Sequence, residues 1–182
     1  MYTHDTIAAL ATPPGIGALA IIRISGQGLE ELFQGLTKNK PVKDRFATFS
    51  SIYNPNTTEI LDSGIIIYFR GPNSFTGEDL IEINCHGGEY LSKSILSALY
   101  TYGVRPANPG EFSFRAFMNG KIDLVQAEAI SELIASKSER AAKNSLNNIN
   151  GYVSNYVDKL KNSIINLLSL IEHELDFTEE EI

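Results

Sequence analysis

Residues 71–88 contain the side chains of this sequence that are best suited to chemistry. The stretch begins as a loop rich in glycine, proline and asparagine. It then alternates, so that Glu82 and Asn84 share one face of a predicted strand while Ile83 and Cys85 share the other. A half-buried carboxylate is costly without a partner. Glu82 is therefore predicted to need a partner.

Two cations are further candidates for the same site. Arg23 lies near the end of a strand predicted over 18–25, where an arginine can reach the mouth of a pocket. Lys121 lies at a predicted junction between two parts of the chain. In the simpler alternative Arg23 pairs with a carboxylate, Glu82 caps a neighbouring loop and Lys121 is solvated. Position alone favours this alternative, because most charges near a core are simply paired.

Nucleotide, metal and nucleophilic sites are less well supported. Residues 87–94 approach a phosphate loop, but Ser92 stands where a second glycine would let the backbone wrap phosphates. Cys85 and His86 are adjacent in the predicted strand and should point to opposite sides, which makes them poor metal co-ligands and a poor nucleophilic pair. No catalytic residue and no metal ligand is predicted.

The composition is that of a soluble globular protein, with 43% hydrophobic and 20% charged residues. The net charge of −7 divides into −2 for residues 1–120, with 11 acidic and 9 basic side chains, and −5 for 121–182, with 11 acidic and 6 basic. Neither part is basic overall, so strong nucleic-acid binding by this chain alone is not expected. A local basic patch is still compatible with these totals.

The single cysteine and the lengths of the apolar runs indicate the cellular compartment of the protein. Cys85 cannot form an intramolecular disulfide, which suits a reducing compartment. No charged-then-apolar leader and no membrane-spanning run are found in the sequence. A cytoplasmic protein that does not enter membranes is predicted.

The first 120 residues alternate between strand and helix patterns. Strands are predicted over 6–11, 18–25, 46–53, 60–69 and 80–85, and helices over 29–36, 89–102 and 111–118. A short Asn/Pro turn between the third and fourth strands predicts an antiparallel hairpin. Gly103 is predicted to cap the second helix.

From Asp123 onward the pattern is helical. Gly151 is the only glycine or proline there, and apolar residues recur at spacings of three and four. Long amphipathic helices are predicted, the later one the longest, with domains at 1–120 and 121–182. Such helices cannot bury their own apolar stripe. The stripe over 146–171 is therefore expected to be exposed. The helical part is expected either to dock on another copy or to be a fragment of a larger unit, and the second alternative is favoured.

Several motifs along the chain occur together in one family. They are Asp5-Thr-Ile7 with Ala11-Thr-Pro-Pro-Gly15, Arg23-Ile-Ser-Gly26, Gly71-Pro-Asn-Ser-Phe-Thr-Gly-Glu78, His86-Gly-Gly88, Pro109-Gly-Glu-Phe112, Arg115-Ala-Phe117, and Lys121-Ile-Asp-Leu-Val-Gln-Ala-Glu-Ala-Ile130. In this order the blocks span nearly the whole chain. The sequence therefore resembles the MnmE (TrmE) family of tRNA-modification GTPases.

The resemblance implies an α+β domain over 1–120, with a mixed or antiparallel sheet and flanking helices, that is similar to aminomethyltransferase domains, binds tetrahydrofolate and dimerises. It also implies the first part of an all-helical domain over 121–182. It also implies 5-formyltetrahydrofolate, or a related one-carbon tetrahydrofolate, as ligand of Arg23, Glu82 and Lys121. The chemistry is suitable. A carboxylate can accept two hydrogen bonds from the aminopyrimidinone edge of a pterin, and the two cations suit carbonyl and carboxylate oxygens.

For the whole protein the resemblance implies 5-carboxymethylaminomethyl modification of the wobble uridine (U34) in tRNA, by a homodimer acting with the flavin-dependent partner MnmG (GidA). GTP, Mg²⁺ and K⁺ would bind in an inserted GTPase domain. This chain is expected to lack that domain and so to hydrolyse no GTP. Two alternatives stay open. One is a ligand-free structural dimerisation module. The other is a stand-alone aminomethyltransferase-like enzyme, for which no general base is found.

Overall fold

The chain divides into two compact units, Met1–Lys121 and Ile122–Ile182. The computed structural model describes residues 5–178, and the side chains of 5–175. The division lies one residue beyond the boundary predicted at 120, so the candidate Lys121 belongs to the first unit. In the part of the chain that is described, no helix has the length and apolar character needed to cross a membrane.

The first unit is built on one mixed sheet. The described strands are β1 (Ile7–Leu10), β2 (Leu19–Gly26), β3 (Thr48–Tyr53), β4 (Ile60–Phe69), β5 (Asp79–His86) and β6 (Arg105–Pro106). They lie in the order β3-β4-β5-β2-β1-β6, and every pair is antiparallel except β1 with β6. The predicted α+β class and the β3–β4 hairpin are confirmed.

Two helices cover one face of this sheet, and a third follows β6. The helices are α1 (Glu30–Thr37), α2 (Glu89–Tyr102) and α3 (Glu111–Met118). Apolar side chains of α1 and α2, such as Phe33 and Leu99, pack with fully buried strand residues such as Ile22 and Ile83. As predicted, α2 ends at Gly103, which adopts the left-handed conformation with φ of 108°.

Alternation along β2 and β5 separates this core from the candidate residues. Ile22 and Ile83 are fully buried, whereas Arg23 and Glu82 are only partly buried. Because successive strand residues point to opposite faces, the two charged side chains lie on the face that does not pack against α1 and α2. The faces predicted from the sequence are confirmed.

Cys85 belongs to the core. Its side chain is fully buried and its Sγ donates to the carbonyl oxygen of Ala20 at 3.5 Å. Burial raises the pKa of the Cys85 thiol to about 11, so the sulfur is protonated at neutral pH. A buried neutral thiol is a structural residue and a poor nucleophile.

The described part of the second unit contains three helices, α4 (Leu124–Ala135), α5 (Glu139–Ile149) and α6 (Tyr152–Thr178). The predicted amphipathic helices, with the later one long, are confirmed by α4 and by α6, which has 27 residues. Ser138 begins α5 by accepting a hydrogen bond from the backbone N–H of Ala141 at 3.2 Å. Gly151, with φ of 82°, separates α5 from α6 and so divides the apolar stripe that was assigned to one helix.

The apolar side of α6 faces solvent in this chain. Side chains along it are between 48% and 59% exposed, namely Val157, Leu160, Ile164, Leu167 and Ile171. The expectation that the helical part leaves an apolar stripe exposed is confirmed for the described residues. Burying this stripe against a partner surface would be favourable, because each large aliphatic side chain removed from water contributes about 1.5–3 kcal/mol.

Candidate functional site

The pairing of β2 with β5 brings two of the predicted site residues together. Arg23 and Glu82 are directly opposite each other in the register of the two strands. The Nε and Nη2 atoms of Arg23 both donate to Oε1 of Glu82, at 3.0 and 2.5 Å. The partner that Glu82 requires is therefore supplied by the chain itself. These charge-assisted bonds hold the carboxylate in one orientation.

A cavity of about 420 Å³ lies beside this ion pair. Its lining residues come from the α1–β3 connector, the 71–78 loop, the neighbouring strands and the segment after α3, and are Arg45, Phe69, Asn73, Ser74, Phe75, Leu80, Glu82 and Lys121. Two predicted site residues, Glu82 and Lys121, thus line one cavity. Arg23 does not line it, but contacts Glu82 from β2. The volume suits a small organic ligand, for which sites span roughly 300–1,000 Å³.

The 71–78 loop positions the side chain of Lys121, which packs against it. Gly77 has φ of +79°, and a Cβ there would approach Cβ of Asn119 to 3.0 Å and Cγ of Lys121 to 3.2 Å. The aliphatic part of Lys121 therefore lies against a position that only glycine fills without strain. Asn119 secures the same junction, because its Nδ2 donates to the carbonyl of Thr76 at 2.7 Å.

Arg45 is a cation of the cavity that sequence reasoning did not identify. Its backbone N–H donates to the carbonyl of Tyr68 at 2.7 Å, and its guanidinium donates to the carbonyl of Asn73. The guanidinium also lies 5.5 Å from the ring centroid of Phe69. In the sequence Arg45 is one of several basic residues in a connector. Only the approach of the 71–78 loop distinguishes it.

Aromatic rings complete the surroundings of the ion pair. The guanidinium carbon of Arg23 lies 5.6 Å from the ring centroid of Phe75 and 6.0 Å from that of Phe112. Phe75 also lines the cavity. The site therefore combines aromatic faces, the fixed carboxylate of Glu82 and the cations Arg45 and Lys121. Such groups suit a flat heterocycle with N–H groups on one edge and anionic oxygens elsewhere.

The 71–78 loop is anchored by a buried ionic cluster behind the cavity. The Nη1 of Arg115 lies 3.0 Å from Oε2 of Glu78, and the two side chains are only 1% and 5% exposed. The same guanidinium pairs with Asp5 at 2.7 Å and with Glu111 at 3.1 Å, and Ser25 donates to Glu78 at 2.8 Å. The cluster therefore ties the loop to α3 and β2. The sequence marked Glu78 and Arg115 only as parts of motifs.

Glu111 makes this cluster sensitive to acid. Hydrogen bonds from Arg105 lower the pKa of Glu111 to about 2, with smaller contributions from the backbone of Asn108 and from Arg115. Because this pKa lies below the unfolded value of about 4.3, the carboxylate stabilises the fold above that pH and loses its effect as the pH falls toward 2.

We expect Glu111→Gln to lower the free energy of unfolding by about 2 kcal/mol at pH 7, after allowance for solvent screening at the exposed side of the cluster, and by about half of that at pH 3. Urea denaturation of the variant and the unmodified chain at both pH values measures this difference. A difference that is the same at both pH values would contradict the assignment.

The side chains of His86 and Cys85 lie on opposite sides of β5, as predicted. His86 is exposed, and its Nδ1 lies 2.8 Å from Oδ1 of Asp62, whereas Cys85 is buried in the core. Within the described residues, no group of three or more His, Cys, Asp or Glu side chains could hold a metal ion.

Comparisons with known proteins cover almost the whole chain. Residues 6–121 match the family model described as the GTP-binding protein TrmE N-terminus, and residues 124–182 match that of the MnmE helical domain. The chain is 48% identical over 182 residues to the tRNA modification GTPase MnmE of Francisella philomiragia subsp. philomiragia. It is 47% identical over 178 residues, 98% of its length, to the protein of the same name from Legionella pneumophila. In both cases the match covers 40% of the relative.

Proposed function

The chain belongs to the MnmE (TrmE) family of tRNA-modification GTPases, and from this we propose that it is the tetrahydrofolate-binding and dimerising part of such a protein. It spans about 40% of the length of the curated relatives it matches. The proposed role of the whole protein is 5-carboxymethylaminomethyl modification of the wobble uridine (U34) in tRNA. Within that role this chain carries the one-carbon donor.

The proposed ligand is 5-formyltetrahydrofolate or a related one-carbon tetrahydrofolate. The observation that carries this proposal is the carboxylate of Glu82, which lines the cavity and is fixed by Arg23 through Oε1 alone. In the described part of the chain, Oε2 of Glu82 accepts no hydrogen bond. That oxygen can accept the ring N–H and the amino group of the aminopyrimidinone edge, while the hydrogen bonds from Arg23 hold the carboxylate in one orientation.

Other lining residues suit the rest of the molecule. Lys121 and Arg45 supply positive charge for the carbonyl and carboxylate oxygens of the folate. Phe75 and Phe69 offer apolar ring surface for the flat parts of the ligand. In this proposal Glu82 and Lys121 contact the folate, and Arg23 acts through its ion pair with Glu82.

The proposed partners are a second copy of the chain, tRNA, and the flavin-dependent protein MnmG (GidA), which would perform the redox chemistry in the cytoplasm. GTP, Mg²⁺ and K⁺ are assigned to the GTPase domain that the family resemblance implies. No residue of this chain is assigned to them.

Isothermal titration of the chain with 5-formyltetrahydrofolate tests the proposal. We expect saturable binding with one ligand per chain, and none at the same concentrations for p-aminobenzoylglutamate, which lacks the pterin. A folded chain that gives no heat with 5-formyltetrahydrofolate would support the alternative of a ligand-free dimerisation module. Conversion of the folate by the chain alone would support the aminomethyltransferase-like alternative.

A further inference from the structure

Most lysines of the first unit that lack a carboxylate partner in the described part of the chain lie on the connector between α1 and β3. Residues 1–121 contain ten lysines and arginines. Six of them form an ion pair with a carboxylate, and these are Arg23, Arg45, Arg70, Lys93, Arg105 and Arg115. The other four have no carboxylate oxygen within 4 Å among the described residues, and these are Lys38, Lys40, Lys43 and Lys121. Lys121 lines the cavity, and the other three lie on the connector between α1 and β3.

The three connector lysines lie in a row along the edge strand. The connector runs back beside β3, so that each lysine contacts a later residue of the chain. The contacts are Lys43 Nζ with the ring of Phe46 (4.9 Å), Lys40 Nζ with the carbonyl of Phe49 (2.6 Å) and Lys38 Nζ with the ring of Tyr53 (5.6 Å). At about 3.3 Å per strand residue, positions 46–53 cover about 23 Å.

This row begins at the cavity and is held in place. Arg45, two residues from Lys43, lines the cavity and is bonded through its backbone to β4. Val42 packs against the hydrophobic core. At the other end, the backbone N–H of Asn39 donates to the carbonyl of Gln34 at 2.8 Å. The cations therefore follow a defined path away from the cavity.

We propose that the row of three lysines, together with Arg45 at the cavity, binds the γ-linked oligoglutamate tail of a polyglutamylated tetrahydrofolate. Arg45 is itself paired with Asp44 at 3.9 Å, so the lysines supply the uncompensated charge. The proposal rests on the proposed function, because the tail must belong to a folate held beside Glu82. Each γ-linked glutamate carries one free carboxylate and extends by about 6 Å, from five bonds of about 1.5 Å. About four residues would therefore span the row.

A short anionic tail fits this surface better than a long nucleic acid does. Phe46 and Phe49 are exposed and could stack on bases, but the chain as a whole carries a net charge of −7, which opposes a long polyanion. The continuity of the row with the cavity instead favours a ligand that occupies both. Lysine suits such a tail, because its mobile ammonium group does not require one fixed carboxylate geometry.

The test compares mono- and pentaglutamyl 5-formyltetrahydrofolate by isothermal titration of the full 182-residue chain. We expect the pentaglutamate to bind about tenfold more tightly at low salt, which corresponds to several exposed charge pairs. The advantage should largely disappear at about 0.5 M salt. Replacing Lys38, Lys40 and Lys43 together by glutamine should reduce it to within about twofold and leave monoglutamate affinity unchanged. Lys93→Gln on α2 is the matched control and should have no effect.

Equal affinity of the unmodified chain for the two ligands would overturn this inference and leave the proposed function intact. No binding of either ligand would overturn both. An advantage that persists in the triple variant would also overturn the inference, and simultaneous loss of tRNA retention on a filter would identify the row as an RNA surface. If the triple variant does not fold, the pair Lys38→Gln and Lys43→Gln, both at exposed positions, should still remove most of the advantage.

Discussion

Glu82→Gln is expected to weaken binding of 5-formyltetrahydrofolate by about 100-fold, or about 2.7 kcal/mol, because a charged acceptor for two N–H groups is lost in a partly buried site. The amide also presents its own N–H groups to the ligand edge, so a donor can face a donor. Isothermal titration or competition against a fluorescent folate measures the change. Glutamine has nearly the same size as glutamate, so the shape of the site does not change. A loss of affinity would therefore report lost hydrogen bonds to the ligand.

The matched control is Glu89→Gln. Glu89 is also a glutamate paired with a cation, Lys93 at 2.6 Å, but its side chain is 70% exposed at the start of α2. This change should leave folate affinity within about twofold. Glu82→Gln should hardly alter the melting temperature, because Arg23 is partly solvated and can rehydrate when its partner is lost. An affinity within threefold of the unmodified chain would show that Glu82 does not hold the pterin.

Arg115→Met is expected to lower the free energy of unfolding by about 3–5 kcal/mol, the largest stability effect predicted for this chain. The guanidinium is 1% exposed and pairs with Glu78, Asp5 and Glu111. Methionine fills much of the same volume but leaves the buried carboxylate of Glu78 without its main counter-charge. Urea denaturation followed by circular dichroism measures the loss, and complete absence of a cooperative transition would be its extreme form.

Arg70→Met is the control for this prediction. Arg70 pairs with Glu30 at 2.5 Å, but both side chains are about half exposed, so removing the pair should change the free energy of unfolding far less than Arg115→Met does. Adding Glu78→Gln to Arg115→Met should recover part of the stability, because the uncompensated charge is then removed. If Arg115→Met is no more destabilising than Arg70→Met, the cluster does not anchor the loop.

Local patterns in the sequence were sufficient to predict most strands and helices of the first unit and the faces that they bury. Alternation placed Ile83 in the core and Glu82 on the opposite face, and helical periodicity located α2 and its cap at Gly103. These features depend on residues close in sequence, whose side-chain directions follow from strand or helix geometry. In the second unit helical periodicity also predicted the helices, but the apolar stripe over 146–171 belongs to two of them, because Gly151 separates α5 from α6.

Local patterns could not predict which residues line the cavity. Arg45 reaches the cavity because its connector bonds to β4 and to the 71–78 loop, and Arg115 meets Glu78 across 37 positions of the chain. Such contacts depend on which strands become neighbours and in what register, and no local period encodes this. The sequence alone was enough to select Glu82 as a carboxylate in need of a partner. That its partner is Arg23, and that Arg45 and Lys121 surround the space beside it, depended on how the strands and loops pack.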